Sequence, residues 1–517
     1  MQKSRHHPLT IILDIWGFIR GSIFIIFFLF IINFTSENLI WKYGRYAYII
    51  VAIFSLIYLI WKWISKKYEL TETAFHLYKG IFNKEEQVVP FDRIQNVNRK
   101  TTIVHRVFGM TSLYFETAMS GENATVTFPA LTKQRATSIE EFVEEALEKK
   151  TGESKNTSLL VSEEILETNN EQSVSRSRKK RTIHFIPTAK DTVRTTFTSF
   201  SFLILIPIVV SGYFKISELF HIEERTKGIT NYILETWWIT VLVIAIGVII
   251  SMGIGTIRIY LKYGKYEITS DEERVYIKQG VINETSFSIA KKNIQAIEIQ
   301  QSLIKRILGI VEVKLISAGQ LNLNEDDLEI SSLYPFLKKE RAMEILQEML
   351  PSYEITENMK GLTRPALWLR IVKSNFYYAI PATIILFIKP NLLGITAFWW
   401  NLIVFGIWIL LNLTIVLNYF HSALSMNHAF IQFRSGTFGT SFFLTKRDKI
   451  MEVIITRSFL QRKFGLATLK TVNRAQPVHH TEMSDVSLEV AHKFYHWYKQ
   501  RTKEIKLDND SNVPQEF

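Results

Sequence analysis

Three arginines in this chain occupy the same position of a repeated motif, and their guanidinium groups could bind a phosphate or a carboxylate. Each arginine stands three residues before a glycine, in the pairs Arg106/Gly109, Arg306/Gly309 and Arg462/Gly465. A guanidinium presents its N–H donors in a planar fork that matches either anion. The alternative is structural: each arginine would pair with a local carboxylate or carbonyl and fix the turn before its glycine. We prefer the structural role because all three copies keep the arginine, and a duplicated fold retains its structural residues longest.

The glycines of this motif indicate a repeated domain. An earlier glycine precedes the second one by 29 residues in every copy, at Gly80, Gly280 and Gly436. Repetition at a fixed spacing is typical of duplicated structural units. Glycine at these positions is explained by a positive φ or by close backbone approach at the end of a strand. The chain therefore contains three copies of one small domain.

A second group of basic residues could contact anionic lipid. It comprises Arg176, Arg178, Lys179, Lys180 and Arg181. Lysine and arginine beside a membrane each contribute on the order of 1 kcal/mol near a negatively charged surface. The alternative, which we prefer, is that this cluster is a topology signal for the apolar segment that follows it. The two roles are compatible.

Six apolar segments indicate that the chain spans a membrane. Hydrophobic residues make up 47% of its 517 residues. Most of the segments approach the roughly 20 residues that a bilayer-spanning helix needs. They form three predicted hairpins: Ile11–Phe34 with Tyr46–Ile64, Phe197–Phe214 with Trp237–Ile257, and Phe376–Ile388 with Thr396–Tyr419.

The basic residues predict the orientation of these hairpins. The net charge is +12, and lysine and arginine are concentrated before and after the hairpins rather than in the turns inside them. On a membrane protein such a bias marks the cytoplasmic flanks of the spans. We therefore expect both termini and all three repeated domains to be cytoplasmic. The expected partner is the lipid bilayer and not nucleic acid.

Several kinds of chemistry are excluded by composition. The chain has no cysteine, which excludes disulfides, cysteine-ligated metal sites and thiol catalysis. It also lacks the sequence motifs of zinc proteases, P-loop proteins, serine hydrolases and dinucleotide-binding enzymes. We therefore expect no catalytic residue, no metal site and no cofactor, and a protein that is not an enzyme.

The elements that would position the arginine motif are strands followed by one helix. After each hairpin the apolar period changes from that of a helix toward two, as in strands. Each copy then closes with an amphipathic helix, and in the first copy Ile139, Phe142, Val143 and Ala146 follow the 3.6-residue period. Strands capped by a single helix predict an α+β domain.

The motif resembles that of the bacterial PH-like membrane proteins of the YdbS/YdbT type. Its core reads Arg93–Val97 then Arg106–Gly109 in the first copy, Asn293–Ile297 then Arg306–Gly309 in the second, and Lys449–Val453 then Arg462–Gly465 in the third. The resemblance implies membrane α-helical hairpins plus three PH-like curved antiparallel sheets, each capped by a C-terminal helix. It also implies a bacterial plasma membrane location and a smaller PH-like membrane protein as partner, or self-association. A role in bacteriocin or envelope-stress resistance is implied in the same way.

The resulting hypothesis is a non-enzymatic membrane scaffold that presents three cytoplasmic PH-like domains for protein or lipid-surface binding. The alternative is a subunit of a membrane transport or export complex, but polar residues are sparse in the spans. The expected domains are a lead-in segment and hairpin at 1–65, a PH-like domain at 66–150, a disordered basic linker at 151–182, a lead-in segment and hairpin at 183–261, a PH-like domain at 262–352, a lead-in segment and hairpin at 353–419, a PH-like domain at 420–506 and a tail at 507–517.

Overall fold

A computed structural model describes residues 3–33, 38–81, 83–117, 125–143, 181–188, 191, 237–318, 332–356, 358–388, 397–475 and 478–503. The chain forms two compact units, Met1–Ala290 and Lys291–Phe517. The boundary between them falls inside the second sequence repeat. Each unit therefore holds strands of two successive repeats.

In the first unit, two long apolar helices form a hairpin. Their bounds are α1 Leu9–Phe27, its π-helical extension Phe28–Ile32, and α2 Leu39–Ser65. The rings of Phe28 and Trp41 meet across the hairpin with their centroids 5.6 Å apart. Helix α2 begins before the predicted Tyr46, because the side chain of Asn38 accepts a hydrogen bond from the backbone N–H of Ile40 and caps the helix.

A four-stranded antiparallel sheet adjoins the first residue of α1 and the last residue of α2. Its strands are β1 Ser4–Arg5, β2 Lys67–Leu70, β3 Ala74–Lys79 and β4 Glu85–Pro90, and they lie side by side in chain order. Strand β1 precedes α1 by three residues and β2 follows α2 after one residue, so the helices and the sheet are joined by short connections. Strands β1 and β4 are its outer strands, and no other strand of the described residues pairs with the far side of β4.

The second sheet of this unit has seven strands taken from two sequence repeats. The strands are β5 Ile94–Thr101, β6 Met110–Thr117, β7 Thr125–Thr132, β8 Thr182–Phe185, β9 Glu267–Ser270, β10 Arg274–Gln279 and β11 Glu284–Ala290. Their order across the sheet is β7-β6-β5-β11-β10-β9-β8. Because β5–β7 belong to the first repeat and β8–β11 to the second, one continuous sheet joins the two repeats. Among the described residues, the helices between these strands include α3 Ile103–Val107, α4 133–143 and α5 Trp237–Tyr263.

An aromatic core fills the first repeat. Phe75, Phe115 and Phe128 are fully buried, and the ring centroids of Phe75 and Phe115 lie 4.8 Å apart. Ile139 and Val143 of the predicted apolar stripe on α4 are buried in the same cluster. Burial of each large apolar side chain contributes about 1.5–3 kcal/mol, so this cluster ties α4 to the strands of its own repeat.

The second unit repeats the arrangement. A seven-stranded sheet, in the order β14-β13-β12-β18-β17-β16-β15, combines strands of the second and third repeats. Its strands are β12 Ile294–Gln301, β13 Ile310–Ser317, β14 Leu337–Lys338, β15 Lys360–Gly361, β16 Ala423–Met426, β17 Phe430–Gly436 and β18 Thr440–Lys446. A separate three-stranded sheet contains β19 Ile450–Thr456, β20 Leu466–Asn473 and β21 His479–Ser487 in that order. In it β19 is an outer strand, with one neighbouring strand among the described residues.

Six α-helices accompany these sheets in the described part of the second unit. They are α6 Leu303–Ile307, α7 Lys339–Met349, α8 Arg364–Ile388, α9 Ala397–His421, α10 Phe459–Lys463 and α11 Leu488–Lys499. Helices α8 and α9 form a hairpin that Arg370 joins to β21. The Nε of Arg370 donates to Asp485 Oδ2 at 3.0 Å, and its two terminal nitrogens donate to Asn418 Oδ1 at 2.7 Å and to the carbonyl of Ser484 at 2.9 Å. The end of this hairpin is thus held against β21 by a largely buried ion pair.

The predicted combination of membrane helices with antiparallel sheets and closing helices is confirmed. In the described part of the chain, five helices are long and apolar enough to span a membrane: Leu9–Ile31, Leu39–Ser65, Ala245–Tyr263, Arg364–Ile388 and Phe398–His421. The predicted span Phe197–Phe214 lies outside the described residues, as does most of the predicted linker. Helix α8 starts at Arg364, well before the predicted Phe376, because the amphipathic lead-in segment and the span form one helix. The domain boundaries stay a prediction.

Candidate functional site

The three repeated arginines lie in the one-turn helices α3, α6 and α10, each of which connects two antiparallel strands. Each helix begins after a hydroxyl residue, at Thr102, Ser302 and Ser458. Each ends at a glycine with positive φ: +65° at Gly109, +67° at Gly309 and +65° at Gly465. A left-handed backbone costs a residue with a side chain roughly 1–2 kcal/mol. The cap and the glycine together hold each arginine at a defined place between its two strands.

Sequence reasoning missed the hydroxyl caps, although a signal for them exists. The hydroxyl of Ser302 accepts from the backbone N–H of Lys305, and that of Ser458 accepts from Gln461 at 3.3 Å. The Gln461 side chain accepts in return from the N–H of Ser458 at 2.9 Å, which completes a capping box. A hydroxyl residue four positions before each repeated arginine is the signal that the spacing offered.

Arg106 contacts the second repeat rather than its own. Its Nη2 donates to the carbonyl of Val281 at 2.8 Å and to Glu284 Oε1 at 3.0 Å. Nearby, the backbone N–H of Ile103 donates to the side chain of Asn283. The arginine and the glutamate are both more than one third exposed, so this ion pair contributes at most about 1 kcal/mol. Arg106 thus contributes side-chain hydrogen bonds between the first and the second repeat.

Arg306 also reaches the repeat that follows it. Its Nη1 donates to Nε2 of His421 at a distance of 2.9 Å, and His421 is the last residue of α9. Here the partner is an imidazole and not a carboxylate, but the arginine again bridges from one repeat to the next within a unit. Both arginines contact the repeat that follows their own, and the choice between a structural and a ligand-binding role stays a prediction.

Arg462 belongs to the third repeat. Its backbone carbonyl accepts from Arg457 Nη2 at 3.4 Å. Within the described residues, no hydrogen bond or ion pair of its guanidinium is found. The three arginines therefore share a backbone geometry and differ in what their side chains meet.

The strands beside these arginines pair between repeats in one register. In the first unit β5 pairs with β11 from Thr101 opposite Glu284 to Asn96 opposite Ile289. In the second unit the equivalent residues pair from Gln301 opposite Thr440 to Ala296 opposite Thr445. Thr101 and Gln301 hold the same position of their repeats, as do Glu284 and Thr440. One strand junction is thus built twice, each time by six residue pairs.

A buried carboxylate adjoins the first junction. Glu116 on β6 is 1% exposed, and its two oxygens accept from Asn96 Nδ2 and Asn98 Nδ2 at 2.6 Å each. Burial raises the pKa of Glu116 to about 7, although both hydrogen bonds favour the charged form. The second and third repeats have Ile316 and Val472 at this position. A group that titrates near neutral pH is therefore placed beside the junction in the first repeat.

The predicted lipid-surface cluster lies mostly outside the described residues. The residues that the structure does not describe include Arg176, Arg178, Lys179 and Lys180. Arg181 is described, and its guanidinium lies 3.9 Å from the ring centroid of Tyr276. Among the described residues, no group of three or more histidine, cysteine, aspartate or glutamate side chains is arranged to hold a metal ion.

Comparison with known proteins gives one family and one extended relative. The bacterial PH domain family matches residues 23–147, 203–352 and 380–502. The chain is similar to the UPF0699 transmembrane protein YdbT of Bacillus subtilis (strain 168), with 25% identity over 508 residues. The match covers 96% of this chain and 98% of that protein. No solved structure matches the chain.

Proposed function

Because the chain belongs to the bacterial PH domain family, we propose that it is a non-enzymatic membrane scaffold that presents PH-like domains for protein or lipid-surface binding. The observation that carries the proposal is the strand junction. Each junction joins two repeats by a ladder of six residue pairs, and the arginines Arg106 and Arg306 add side-chain contacts to the following repeat. Such ladders fix successive repeats together, as expected of a protein that works by holding surfaces in a set arrangement.

The proposed location is the bacterial plasma membrane, with both termini and the PH-like domains in the cytoplasm. The charge bias of the sequence supports this orientation. The chain has no cysteine, so single cysteines can report topology without any background. We expect Lys278→Cys on β10 and Lys493→Cys on α11 to be shielded from a membrane-impermeant maleimide in intact cells. Asn391→Cys, between the two helices of the third hairpin, should be labelled. Labelling of Lys278→Cys in intact cells would contradict the orientation.

The proposed process is resistance to bacteriocins or envelope stress, together with a smaller PH-like membrane protein or a further copy of this chain. This part of the proposal rests on the resemblance stated for the sequence. Loss of the chain should raise the sensitivity of its host to membrane-active peptides, and the topology variants above should restore resistance. Unchanged sensitivity across a panel of such peptides would remove this process while leaving the scaffold function in place.

The transport alternative predicts polar groups that face a path between the helices. The third hairpin does contain polar side chains: Asn375 Nδ2 donates to Asn412 Oδ1 at 3.0 Å, and Trp408 Nε1 donates to Asn375 Oδ1 at 2.7 Å. These groups satisfy each other across α8 and α9, which is typical of side chains that hold membrane helices together. The scaffold remains the better supported function.

A further inference from the structure

Each of the two junctions described above uses one edge from each of two strand types. One strand of each type has an edge that takes part in neither junction. In both junctions a strand of the β5 type, which opens the second half of a repeat, pairs with a strand of the β4 type, which closes the first half of the next repeat. The first repeat also has β4 itself, Glu85–Pro90, and the third also has β19, Ile450–Thr456. Among the described residues, neither of these strands has a neighbour on its outer side.

The two edges differ from their paired equivalents in exposure. Val88 on β4 is 44% exposed, whereas the residues at its position in β11 and β18, Ser288 and Leu444, are 8% and 0% exposed. Glu452 on β19 is exposed, whereas the equivalent Ala296 on β12 is buried. An open edge of unpaired backbone groups is a template for another strand. These edges are therefore unfinished junctions of a kind that the chain completes twice.

We propose that a second copy of this chain completes the junction, with its Ile450–Thr456 strand adding in antiparallel orientation to Glu85–Pro90 of the first copy. The register of the two internal junctions then places Lys84 opposite Arg457, Glu85 opposite Thr456 and Val88 opposite Val453. The second copy is the occupant because each internal junction needs one edge of each type, and the chain has one of each remaining. The inference rests on the proposed scaffold function, to which it adds a partner and an interface.

Arg462 supports this arrangement. In the first junction Arg106 donates to the carbonyl of Val281 and to Glu284. The equivalent positions in the first repeat are Ile81 and Lys84. The guanidinium of Arg462, which has no partner in the described part of its own copy, would meet the carbonyl of Ile81 in the next copy.

One substitution makes this junction weaker than the internal ones. Where the second repeat has Glu284, the first has Lys84. The proposed register places Lys84 opposite Arg457, and like charges directly opposite each other on paired strands are destabilising. The contact between copies is therefore reversible, while the internal junctions are permanent. Because the contact joins two different edges, each copy of a pair keeps one unpaired edge, and these two edges are of different types, so the pairing continues from copy to copy.

The register can be tested by crosslinking between two populations of the full-length chain. One population carries Glu85→Cys and one tag, and the other carries Thr456→Cys and a second tag; both are reconstituted together in liposomes. On mild oxidation we expect disulfide-linked dimers that carry both tags. The matched control is Glu86→Cys with Thr456→Cys, because neighbouring residues of a strand point to opposite faces. We expect the control to link at least about fivefold less.

A second measurement follows the strength of association by mass photometry of the detergent-solubilised chain. Lys84→Glu would give Arg462 of the second copy a carboxylate equivalent to Glu284, the partner of Arg106. This variant should strengthen association at least about threefold. Val88→Lys places a charge inside the junction and should abolish association, whereas the matched Val88→Thr, which is also β-branched, should retain it. All three substitutions change exposed or half-exposed positions of the strand or its preceding turn, so the chain should fold normally.

Several outcomes would overturn the proposal. Equal linking in the control pair, linking within the Glu85→Cys population alone, or unchanged association in Val88→Lys would each exclude this interface. If copies still associate in Val88→Lys, the scaffold function survives and only the interface is lost. If the chain is monomeric in liposomes and Glu85→Cys is protected from maleimide, a segment of the same chain or a different protein covers the edge, and the second copy is excluded.

Discussion

At the scale of single residues, the guanidinium of Arg106 and the carboxylate of Glu116 lie beside the same strand junction in very different surroundings. The side chain of Arg106 is 44% exposed and its contacts are screened by solvent. Glu116 is buried, and its pKa is raised to about 7. The exposed pair therefore contributes little to stability, while the buried carboxyl makes stability depend on pH.

The repeated arginines give a comparison within one chain. Arg106→Ala should lower the melting temperature of the solubilised protein slightly, because the exposed pair with Glu284 contributes at most about 1 kcal/mol. Arg462→Ala should leave the melting temperature unchanged, since no intrachain partner of this side chain is described. If both variants melt normally and both lose binding to liposomes of anionic lipid, the arginines are ligand-binding residues and the structural role is wrong.

The titration of Glu116 has a defined sign. The folded protein holds this proton up to about pH 7, whereas the unfolded chain releases it near the ordinary value of 4.5. The folded state therefore binds more protons between these values, so the free energy of unfolding falls as pH rises from about 4.5 to 7. Glu116→Gln should be more stable at pH 8 by as much as about 3 kcal/mol and should flatten this dependence. Glu272→Gln, at an exposed position, is the control, and an unchanged slope in Glu116→Gln would contradict the assignment.

The turn glycines allow strain to be separated from crowding. A Cβ atom added at Gly309 would meet no atom within 4 Å, but the φ of this residue is +67°. Gly309→Val should thus destabilise the protein by roughly 1–3 kcal/mol through backbone strain alone. Gly309→Asn should lose much less, because asparagine tolerates this conformation. Equal melting temperatures for the two variants would show that the left-handed backbone is not what the glycine supplies.

Sequence reasoning predicted these glycines but not Glu116. Gly109, Gly309 and Gly465 recur at a fixed spacing, and their positive φ is local, so a sequence can reveal it. Glu116 lies on β6, and a charged side chain in a strand normally indicates the solvent face. Its burial depends on strands that are distant in sequence, and the other repeats offer no carboxylate at that position. No local pattern marks such a residue.

At the scale of elements, the strands and closing helices follow from periodicity, whereas the way the strands are shared does not. Strand β5 alternates buried and half-buried residues from Ile94 to Arg99, a pattern that does not depend on which strand lies at its outer side. Strands pair through backbone groups that every residue carries. The apolar pattern therefore determines which side chains face the core, but it does not determine which strand lies next to β5. The predicted domain at 66–150 contains β2–β7, but β5 pairs with a strand of the next repeat.

Helix α8 gives a prediction at this scale. Arg370→Ala would leave Asp485 largely buried without its cationic partner, a change that typically costs about 3–5 kcal/mol. We expect a large fall in melting temperature and weaker docking of the third hairpin against β21, measured by protease sensitivity near Ser484. Arg370→Lys keeps the charge but loses the fork of donors, so it should fall between wild type and Arg370→Ala. A normal melting temperature for Arg370→Ala would show that the hairpin is held by other contacts.

At the scale of the whole molecule, the connection between β7 and β8 has to cross one sheet. These strands are its two outer strands, about 30 Å apart when six strand spacings are taken at 4.8 Å. The segment 144–181 has far more contour length than this distance requires. The predicted role of a tether is compatible with that excess.

Shortening this segment tests the tether. Deletion of Ser154–Asn170 leaves about 20 residues, which can span up to roughly 65 Å, so insertion and melting temperature should be unchanged. Deleting enough to leave about six residues would limit the reach to roughly 20 Å and should prevent β8 from joining the sheet. A large loss of stability in the shorter deletion would show that the segment is an ordered element.

The sharing of strands between repeats also affects how the chain is made. Strand β5 ends at Thr101 and its partner β11 begins at Glu284, so about 180 residues, including a predicted hairpin, are synthesised between them. At roughly 5–20 residues per second, β5 waits about 10–40 s on the ribosome-bound chain with one edge unpaired. Strand β12 then waits in the same way for β18. A nascent chain with such an edge is open to aggregation, so the order in which the hairpins enter the membrane determines how long each repeat must be protected before its neighbour exists.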